Sequence, residues 1–202
     1  MIQFPFSISS SQLVAKTLKS EGVICFPTET VYGLGGNALS KKVVEEVFAI
    51  KRRPTEKLLS VLVNQEWLPK MTFWKDNKVD RIMNAFWPGP LTLVLHAQPE
   101  LPDFLKSSKG TIAIRWSSSL IVQELIKLGG YPLIGTSANL SGMPACLNPV
   151  DVKKQFGETT PMLVNAGILP ENIPTSLLDC TQNPFKMLRS GEIDQHHLED
   201  FL

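Results

Sequence analysis

The fold is decided by one stretch, Val23-Ile-Cys-Phe-Pro-Thr-Glu-Thr-Val-Tyr-Gly-Leu-Gly-Gly-Asn37. Its first four residues are apolar and partly β-branched, which predicts a buried strand ending at Pro27, where the backbone lacks a donor. Hydroxyls, a carboxylate and three glycines follow, and the glycines predict either turns with positive φ or the close approach of a ligand. Because α/β folds bind ligands where such a strand ends before a helix, we expect a binding site here. The alternative is an ordinary strand-to-helix turn.

Length and composition predict one soluble globular domain that covers residues 1–202. Lys plus Arg (20) nearly balances Asp plus Glu (19), giving a net charge of +1, which argues against bulk electrostatic attraction to nucleic acid or to a membrane. The N-terminus lacks the pattern of a signal peptide, and the apolar runs are too short to span a bilayer. The three cysteines, Cys25, Cys146 and Cys180, cannot all pair and lack metal-ligand spacing. We therefore expect buried thiols at Cys25 and Cys180 and a cytoplasmic location.

The order of predicted elements indicates a mixed α/β fold. Helices and strands alternate early in the chain, whereas strands crowd together late, which favours a mixed sheet covered by helices over a doubly wound parallel sheet. Apolar periodicity and capping residues predict helices over 9–22, 40–53, 80–87, 119–128 and 149–156, and strands over 23–26, 58–63, 91–95, 111–115, 132–136, 162–165, 176–180 and 185–189.

The densest positive patch is Lys51-Arg-Arg-Pro-Thr-Glu-Lys57. The residue before a proline avoids the helical region, so Arg53 is expected to be extended. Residues two apart in an extended segment share a side, and Lys51 and Arg53 are therefore expected to face one anion together. The alternative interpretation is a solvated loop of surface charges.

A second group of polar residues follows the predicted strands. Ser137 and Asn139 come directly after a buried strand, where they can bind a polar ligand or simply cap their own turn. Arg115 and Arg189 each end a strand, and Thr175 adds a hydroxyl before another. No nucleophile with an adjacent base and no metal signature is visible. Cations and hydroxyls without a covalent catalyst suit phosphoryl or nucleotidyl transfer by positioning and charge stabilisation.

Five motifs occur in the order of a known family. They are Pro27-Thr-Glu-Thr-Val-Tyr-Gly-Leu-Gly35, Lys51-x-Arg-Pro54, Trp87-Pro-Gly-Pro-Leu-Thr92, Ile112-Ala-Ile-Arg115 and Thr136-Ser-Ala-Asn-Leu-Ser-Gly142. From about Ser10 to Gly191 the chain closely resembles the TsaC/YrdC family, the threonylcarbamoyl-AMP synthases. It departs from the family pattern at Leu58, at Leu62 and in Trp116–Ser119. Because the chain ends where longer two-domain relatives continue, the resemblance implies the single-domain form.

The resemblance implies a YrdC-like twisted, mixed open sheet with helices packed on it and a concave, positively charged cavity. It implies that threonine and bicarbonate give a carbamate, which attacks the α-phosphate of ATP to release pyrophosphate and leave L-threonylcarbamoyladenylate. Mg²⁺ would accompany ATP without a protein cage. The implied partners are the transferase proteins that move the threonylcarbamoyl group to adenosine 37 of tRNA, with possible direct contact to tRNA and none to a membrane.

The resemblance also assigns residues to substrates. Lys51 and Arg53 would be catalytic, and threonine would be held by Thr30, Arg115 and Thr175. ATP would be bound by Lys51, Arg53, Lys57, Thr111, Ser137, Asn139 and Arg189. Two other functions stay open at this point. One is a module that binds double-stranded RNA or tRNA without turnover, and the other is a catalytically idle subunit of a modification complex.

Overall fold

The computed structural model describes residues 1–3, 5, 7–53, 59–170 and 173–199. The helices are α1 (Ile8–Lys19), α2 (Lys41–Lys51), α3 (Leu68–Met71), α4 (Asn77–Phe86), α5 (Leu120–Gly129), α6 (Pro149–Phe156) and α7 (Gln195–Leu198). The strands are β1 (Ile2–Gln3), β2 (Ile24–Pro27), β3 (Tyr32–Gly35), β4 (Val61–Leu62), β5 (Thr72–Phe73), β6 (Leu91–Ala97), β7 (Thr111–Arg115), β8 (Leu133–Ile134), β9 (Thr136–Ser137), β10 (Met162–Asn165), β11 (Ser176–Asp179) and β12 (Lys186–Arg189).

Side-chain caps fix where the main helices begin. The hydroxyl of Ser40 accepts a hydrogen bond from the Val43 amide at the start of α2, as the sequence predicts. Ser119 caps α5 in the same way, and Asn148 caps α6, whose first residue is Pro149. These caps fix the register of helices that bury an apolar face against the sheets.

The strands form two mixed sheets, in the orders β1-β10-β2-β3-β9 and β12-β11-β6-β7-β4-β8, with β5 paired to β6. Parallel and antiparallel pairs occur in both, which confirms the mixed α/β prediction. The sheets meet where the Ile134 amide donates to the Gly36 carbonyl over 2.9 Å and Asn37 bridges to Leu133. The two sheets are thus joined through their backbones.

The largest difference from the predicted elements is β3. The sequence predicts a ligand-binding loop over Tyr32–Gly35, but these residues form a strand antiparallel to β2. Neither Gly33 nor Gly35 has positive φ. At Gly35 an added Cβ would lie 1.6 Å from the Ile134 carbonyl oxygen, so glycine permits close approach of another strand rather than a turn. The reversal occurs instead over residues 28–31, where the Thr28 amide donates to the Val31 carbonyl.

The core lies on both faces of β2. Ile24 and Phe26 pack with α1 and α5, while Cys25 faces the larger cluster formed with α2 and the second sheet. Cys25 is buried as predicted, and burial raises the pKa of its thiol. Cys180 is only half-buried, because it lies just beyond the end of β11. Among the described residues, no helix has the length and apolarity needed to cross a bilayer.

Candidate functional site

A cavity of about 290 Å³ opens between the β2–β3 turn, strands β4 and β7, and the segment after β9; we call it the first cavity. These elements come from distant parts of the chain, and each contributes polar side chains at its end. The structure brings together most of the residues that the sequence and the family resemblance single out. Those that line the first cavity are Thr30, Arg53, Arg115, Ser137, Asn139, Thr175 and Arg189.

A second cavity of about 810 Å³ lies beside the first, on the face of β6, β7 and β11. Arg53, Ser60 and Arg189 line both cavities, so the two spaces are contiguous at these residues. Thr111 lines only the second cavity, where its hydroxyl is hydrogen-bonded to the Ser107 hydroxyl at 2.7 Å. Ligand pockets span roughly 300–1,000 Å³, so the first cavity alone is small for a nucleotide and the second is not.

Arg115 is buried at the base of the first cavity and is paired with a carboxylate. Its Nη2 lies 2.8 Å from Glu29 Oε1, and its Nε donates to the Gly89 carbonyl over 3.3 Å. Burial opposes ionisation of Glu29, but the Arg115 guanidinium and hydrogen bonds from Ser117 and Ser118 outweigh it and hold the pKa of that carboxyl below its usual range. Both groups are therefore charged at neutral pH.

Arg189, the last residue of β12, also lines the first cavity. Its Nε donates to the Thr175 carbonyl and its Nη2 to the Thr175 hydroxyl, both over 2.9 Å. Burial, followed by the charges of Arg115 and Arg53, lowers the pKa of Arg189. Because the guanidinium groups of Arg53, Arg115 and Arg189 all line the first cavity, an anionic ligand is favoured there.

Lys51 does not take the position that the sequence predicts. It is the last residue of α2, and Arg52 beyond it has φ of 49°, so Lys51 and Arg53 do not share an extended segment. Lys51 is 1% exposed and lines neither cavity. Its ammonium donates to the Ser137 carbonyl, to the Asn139 carbonyl over 2.8 Å and to Asn139 Oδ1 over 3.2 Å. The extended segment predicted for Lys51 and Arg53 is therefore wrong, because α2 continues through Lys51, while the expectation that both cations bind one anion stays a prediction.

The Ser137–Asn139 segment combines both interpretations of its sequence. The two side chains line the first cavity, as expected of ligand-binding residues. They also cap their own turn, because the Ser137 hydroxyl donates to Asn139 Oδ1 and Asn139 Nδ2 donates to the Leu140 and Met143 carbonyls. Burial, and then the charge of Arg53, lowers the pKa of the Lys51 ammonium behind this segment to about 8.

Comparison with known proteins gives the chain a family. A family model that comprises Sua5, YciO and YrdC, and that is described as telomere recombination, matches residues 16–191. The chain belongs to the Sua5/YciO/YrdC family. A threonylcarbamoyl-AMP synthase of Photorhabdus laumondii is 36% identical over 171 residues, which cover 82% of this chain and 89% of the relative. A threonylcarbamoyl-AMP synthase of Yersinia enterocolitica is 37% identical over 183 residues, which cover 88% of this chain and 94% of the relative.

Solved structures of the Sua5/YciO/YrdC family share this fold. Pyrococcus abyssi Sua5, solved in complex with L-threonine, superposes with a TM-score of 0.92 at 28% identity. All of this chain is covered, but it spans only 59% of that longer protein. Escherichia coli YciO superposes with a TM-score of 0.82 at 27% identity, over 95% of this chain and 94% of its own. The synthase relatives place the chain among enzymes of the family.

Two further residues at the site, Ser60 and Glu29, are not predicted from the sequence. Ser60 lines both cavities, and its hydroxyl has no hydrogen-bond partner among the described residues. Ser60 could have been found from the sequence. It lies two residues before Leu62, where the chain departs from the family pattern, and residues two apart share one side of a strand. Glu29 was visible only as a carboxylate in a loop, since its pairing with Arg115 joins distant segments. Lys57 and Leu58 lie outside the described residues.

Proposed function

We propose that the chain is a threonylcarbamoyl-AMP synthase, in the class of nucleotidyltransferases. The amine of L-threonine adds to bicarbonate with loss of water, which gives a carbamate. A carbamate oxygen then attacks the α-phosphorus of ATP, and the bond from that phosphorus to the bridging oxygen breaks. The products are L-threonylcarbamoyladenylate and pyrophosphate.

The observation that carries the proposal is the junction of the two cavities. Arg53 and Arg189 line both spaces, and two guanidinium groups at one point suit the phosphates of ATP. Adenosine would then occupy the second cavity, beside Thr111, and threonine the first. The α-phosphorus would lie where the cavities meet, within reach of a carbamate held in the first cavity.

The threonine side of the proposed site is defined by Arg115. This guanidinium lines the first cavity, and Thr30 lies beside it, with Arg115 Nη2 3.4 Å from the Thr30 hydroxyl. Arginine and a hydroxyl can bind the carboxylate of an amino acid, and Thr175 closes the opposite side of the same cavity. The relative that was solved with L-threonine supports this choice of ligand.

The chemistry requires positioning and charge stabilisation rather than a covalent catalyst. Arg53 and Arg189 would neutralise charge that accumulates on the α-phosphate and on the departing pyrophosphate. Ser137 and Asn139 would add neutral hydrogen bonds from the other wall of the first cavity. Holding carbamate and ATP in line converts an encounter in solution into a step within one complex.

We propose that Mg²⁺ enters with ATP. No group of three or more His, Cys, Asp or Glu side chains among the described residues could hold a metal ion. In the second cavity the Asp179 carboxylate already accepts hydrogen bonds from Thr181 and Gln182. Bound to the triphosphate, Mg²⁺ would neutralise part of its charge, while the chain supplies the arginines.

The proposed product is labile, so it requires a protein that accepts it. We propose that the partners are the threonylcarbamoyl-transferase proteins that modify adenosine 37 of tRNA, and that the chain acts in the cytoplasm, which its unpaired cysteines favour. A module that binds double-stranded RNA or tRNA without turnover is the alternative function.

The proposed reaction predicts that pyrophosphate release from ATP and Mg²⁺ requires both L-threonine and bicarbonate. Withholding either substrate should reduce release to the rate without enzyme, because the carbamate is the attacking group. A coupled assay for pyrophosphate, with each substrate added or withheld in turn, measures this requirement. D-Threonine serves as the control for recognition by the first cavity.

Release that is independent of threonine would indicate an ATP pyrophosphatase and contradict the synthase. No release under any combination, from a folded sample, would favour the RNA-binding alternative. A tRNA titration at several salt concentrations would then be decisive, since binding through phosphates weakens steeply as salt rises.

Ser60→Ala tests the position of the phosphates at the junction. The hydroxyl lies in both cavity walls without another partner among the described residues, and a net hydrogen bond contributes about 0.5–1.5 kcal/mol, so KM for ATP should rise about threefold to tenfold. KM for threonine should change less than about twofold. Ser20→Ala, at the far end of α1, is the control and should leave both constants unchanged. An unchanged KM for ATP in Ser60→Ala would place the phosphates elsewhere.

A further inference from the structure

Glu29 carries a half-buried carboxylate that the proposed reaction does not use. Its side chain is 17% exposed and lines neither cavity, although it lies at the β2–β3 turn beside residues that do. Oε1 is 2.8 Å from Arg115 Nη2 and accepts a hydrogen bond from the Ser118 amide over 3.0 Å. Oε2 accepts a hydrogen bond from the Ser117 hydroxyl. The carboxylate is therefore held both by Arg115, at the end of β7, and by the two serines that follow β7.

The segment that holds Glu29 is itself fixed. The Ser117 carbonyl accepts a hydrogen bond from Gln123 Nε2 of α5 over 2.9 Å, and the Ser119 hydroxyl donates to the Pro27 carbonyl over 3.2 Å. This is the segment in which the chain departs from the family pattern. Here its serines connect the end of β7, the start of α5 and the end of β2. Glu29 thus has a rigid support on which a second group can be oriented.

The donors of Arg115 divide into two sets. A guanidinium has five N–H donors in a fixed planar arrangement. Nε donates to Gly89, while Nη2 contacts Glu29 and Thr30. Nη1 has no hydrogen-bond partner among the described residues, and Arg115 lines the first cavity. Holding Nη2 in place leaves the Nη1 donors for a ligand.

We propose that Glu29, supported by Ser117 and Ser118, is a positioning residue that orients Arg115 for a carboxylate ligand in the first cavity. The inference rests on the proposed function, because it takes threonine as the source of that carboxylate. Glu29 holds the guanidinium in the bound orientation before the ligand arrives, so less ordering is needed on binding. It also balances the Arg115 charge, which would otherwise be buried alone.

Glu29→Gln isolates the charge of this residue. The glutamine oxygen can accept the hydrogen bonds from Ser118 and Arg115, and its amide nitrogen can donate to the Ser117 hydroxyl, so the shape is kept. Hydrogen bonds with a charged partner are about twice as strong as neutral ones, and we expect the Kd for L-threonine to rise about tenfold. The Kd for ATP should change less than about twofold, because ATP contacts the junction instead.

Isothermal titration calorimetry of the full chain, with L-threonine and ATP titrated separately, measures both constants. Glu192→Gln is the matched control. Glu192 is exposed and its charge acts on Arg115 at a distance, but it makes no hydrogen bond or ion pair with Arg115. It should leave both Kd values unchanged. Glu29→Asp, which keeps the charge on a shorter side chain, should bind threonine more tightly than Glu29→Gln.

Equal weakening of threonine and ATP binding in Glu29→Gln would indicate general structural damage and overturn the proposal. An unchanged Kd for threonine would overturn it as well, as would wild-type protein that binds no threonine. Failure of the synthase function is recognised separately, since wild-type protein would then release no threonine-dependent pyrophosphate whatever the variants bind.

Discussion

Replacement of Lys51 by methionine is expected to lower both stability and activity. The side chain is buried, and its ammonium donates to three oxygens of Ser137 and Asn139. Methionine fills similar space but removes all three hydrogen bonds and leaves the Asn139 carbonyl without a donor among the described residues, at a cost of about 3 kcal/mol. For a chain of this length that corresponds to a fall in melting temperature of roughly 6–12 °C. We also expect pyrophosphate release to fall by about a hundredfold or more, because the wall of the first cavity is displaced.

Arg53→Met is the matched comparison for Lys51→Met. Arg53 is half-buried and lines both cavities, so its loss should reduce pyrophosphate release strongly with a fall in melting temperature of less than about 4 °C. Thermal melts and initial rates of the two variants separate a side chain that holds the site together from one that is proposed to contact the phosphates. A Lys51→Met protein that melts like the wild type would contradict the structural role of the ammonium.

The contrast between these two residues illustrates how far the sequence alone could go. It identified both cations, but it placed them in one extended segment because Pro54 restricts the residue before it. That restriction applies to Arg53 and not to Lys51, and α2 continues through Lys51. Local patterning therefore predicted the residue types of the site, while the tertiary contact with the Ser137–Asn139 segment decided which of them face the cavity.

The same limit applies to the fold. Apolar runs predicted most helices and strands and the mixed sheet, because burial leaves a local pattern. The strand β3 was missed because its glycines signal a loop, whereas Gly33 makes room for the Phe26 ring and Gly35 permits contact with the Ile134 carbonyl, far along the chain. Glu29 was missed as a site residue for a related reason. Glu29 lies in the β2–β3 turn and its partner Arg115 at the end of β7, and no spacing in the sequence shows that the two meet.

Arg115→Met is expected to be the most damaging single change at the site. It removes the guanidinium that pairs with the half-buried Glu29 carboxylate, and removal of one partner of a buried pair costs about 3–5 kcal/mol. The melting temperature at neutral pH should therefore fall by roughly 6–20 °C. Threonine-dependent pyrophosphate release should fall roughly a hundredfold to a thousandfold, because the proposed carboxylate-binding group is absent.

The double variant Glu29→Gln/Arg115→Met separates these two losses. Removing the Glu29 charge should restore most of the stability lost in Arg115→Met, while threonine-dependent release stays as low as in Arg115→Met. Thermal melts and the pyrophosphate assay on both variants measure this. A double variant less stable than Arg115→Met would contradict a destabilising charge at Glu29 in the absence of Arg115. Recovery of threonine-dependent release would contradict the role of Arg115 in binding the carboxylate.

The dependence of stability on pH gives an independent test of the same pair. In the wild type the pKa of Glu29 lies below that of an ordinary glutamate. The ion pair therefore stabilises the fold fully at pH values above the ordinary pKa, and this stabilisation is lost as the pH falls through the lowered pKa. In Arg115→Met, the Arg115 charge no longer offsets burial, which should raise the pKa of Glu29 above its usual value, so that protonation at mildly acidic pH relieves the buried charge. The difference in melting temperature between the two proteins should therefore narrow from pH 7 towards pH 4. The double variant has no carboxyl at position 29. Its melting temperature should therefore lack the relative gain at acidic pH that protonation of Glu29 gives to Arg115→Met.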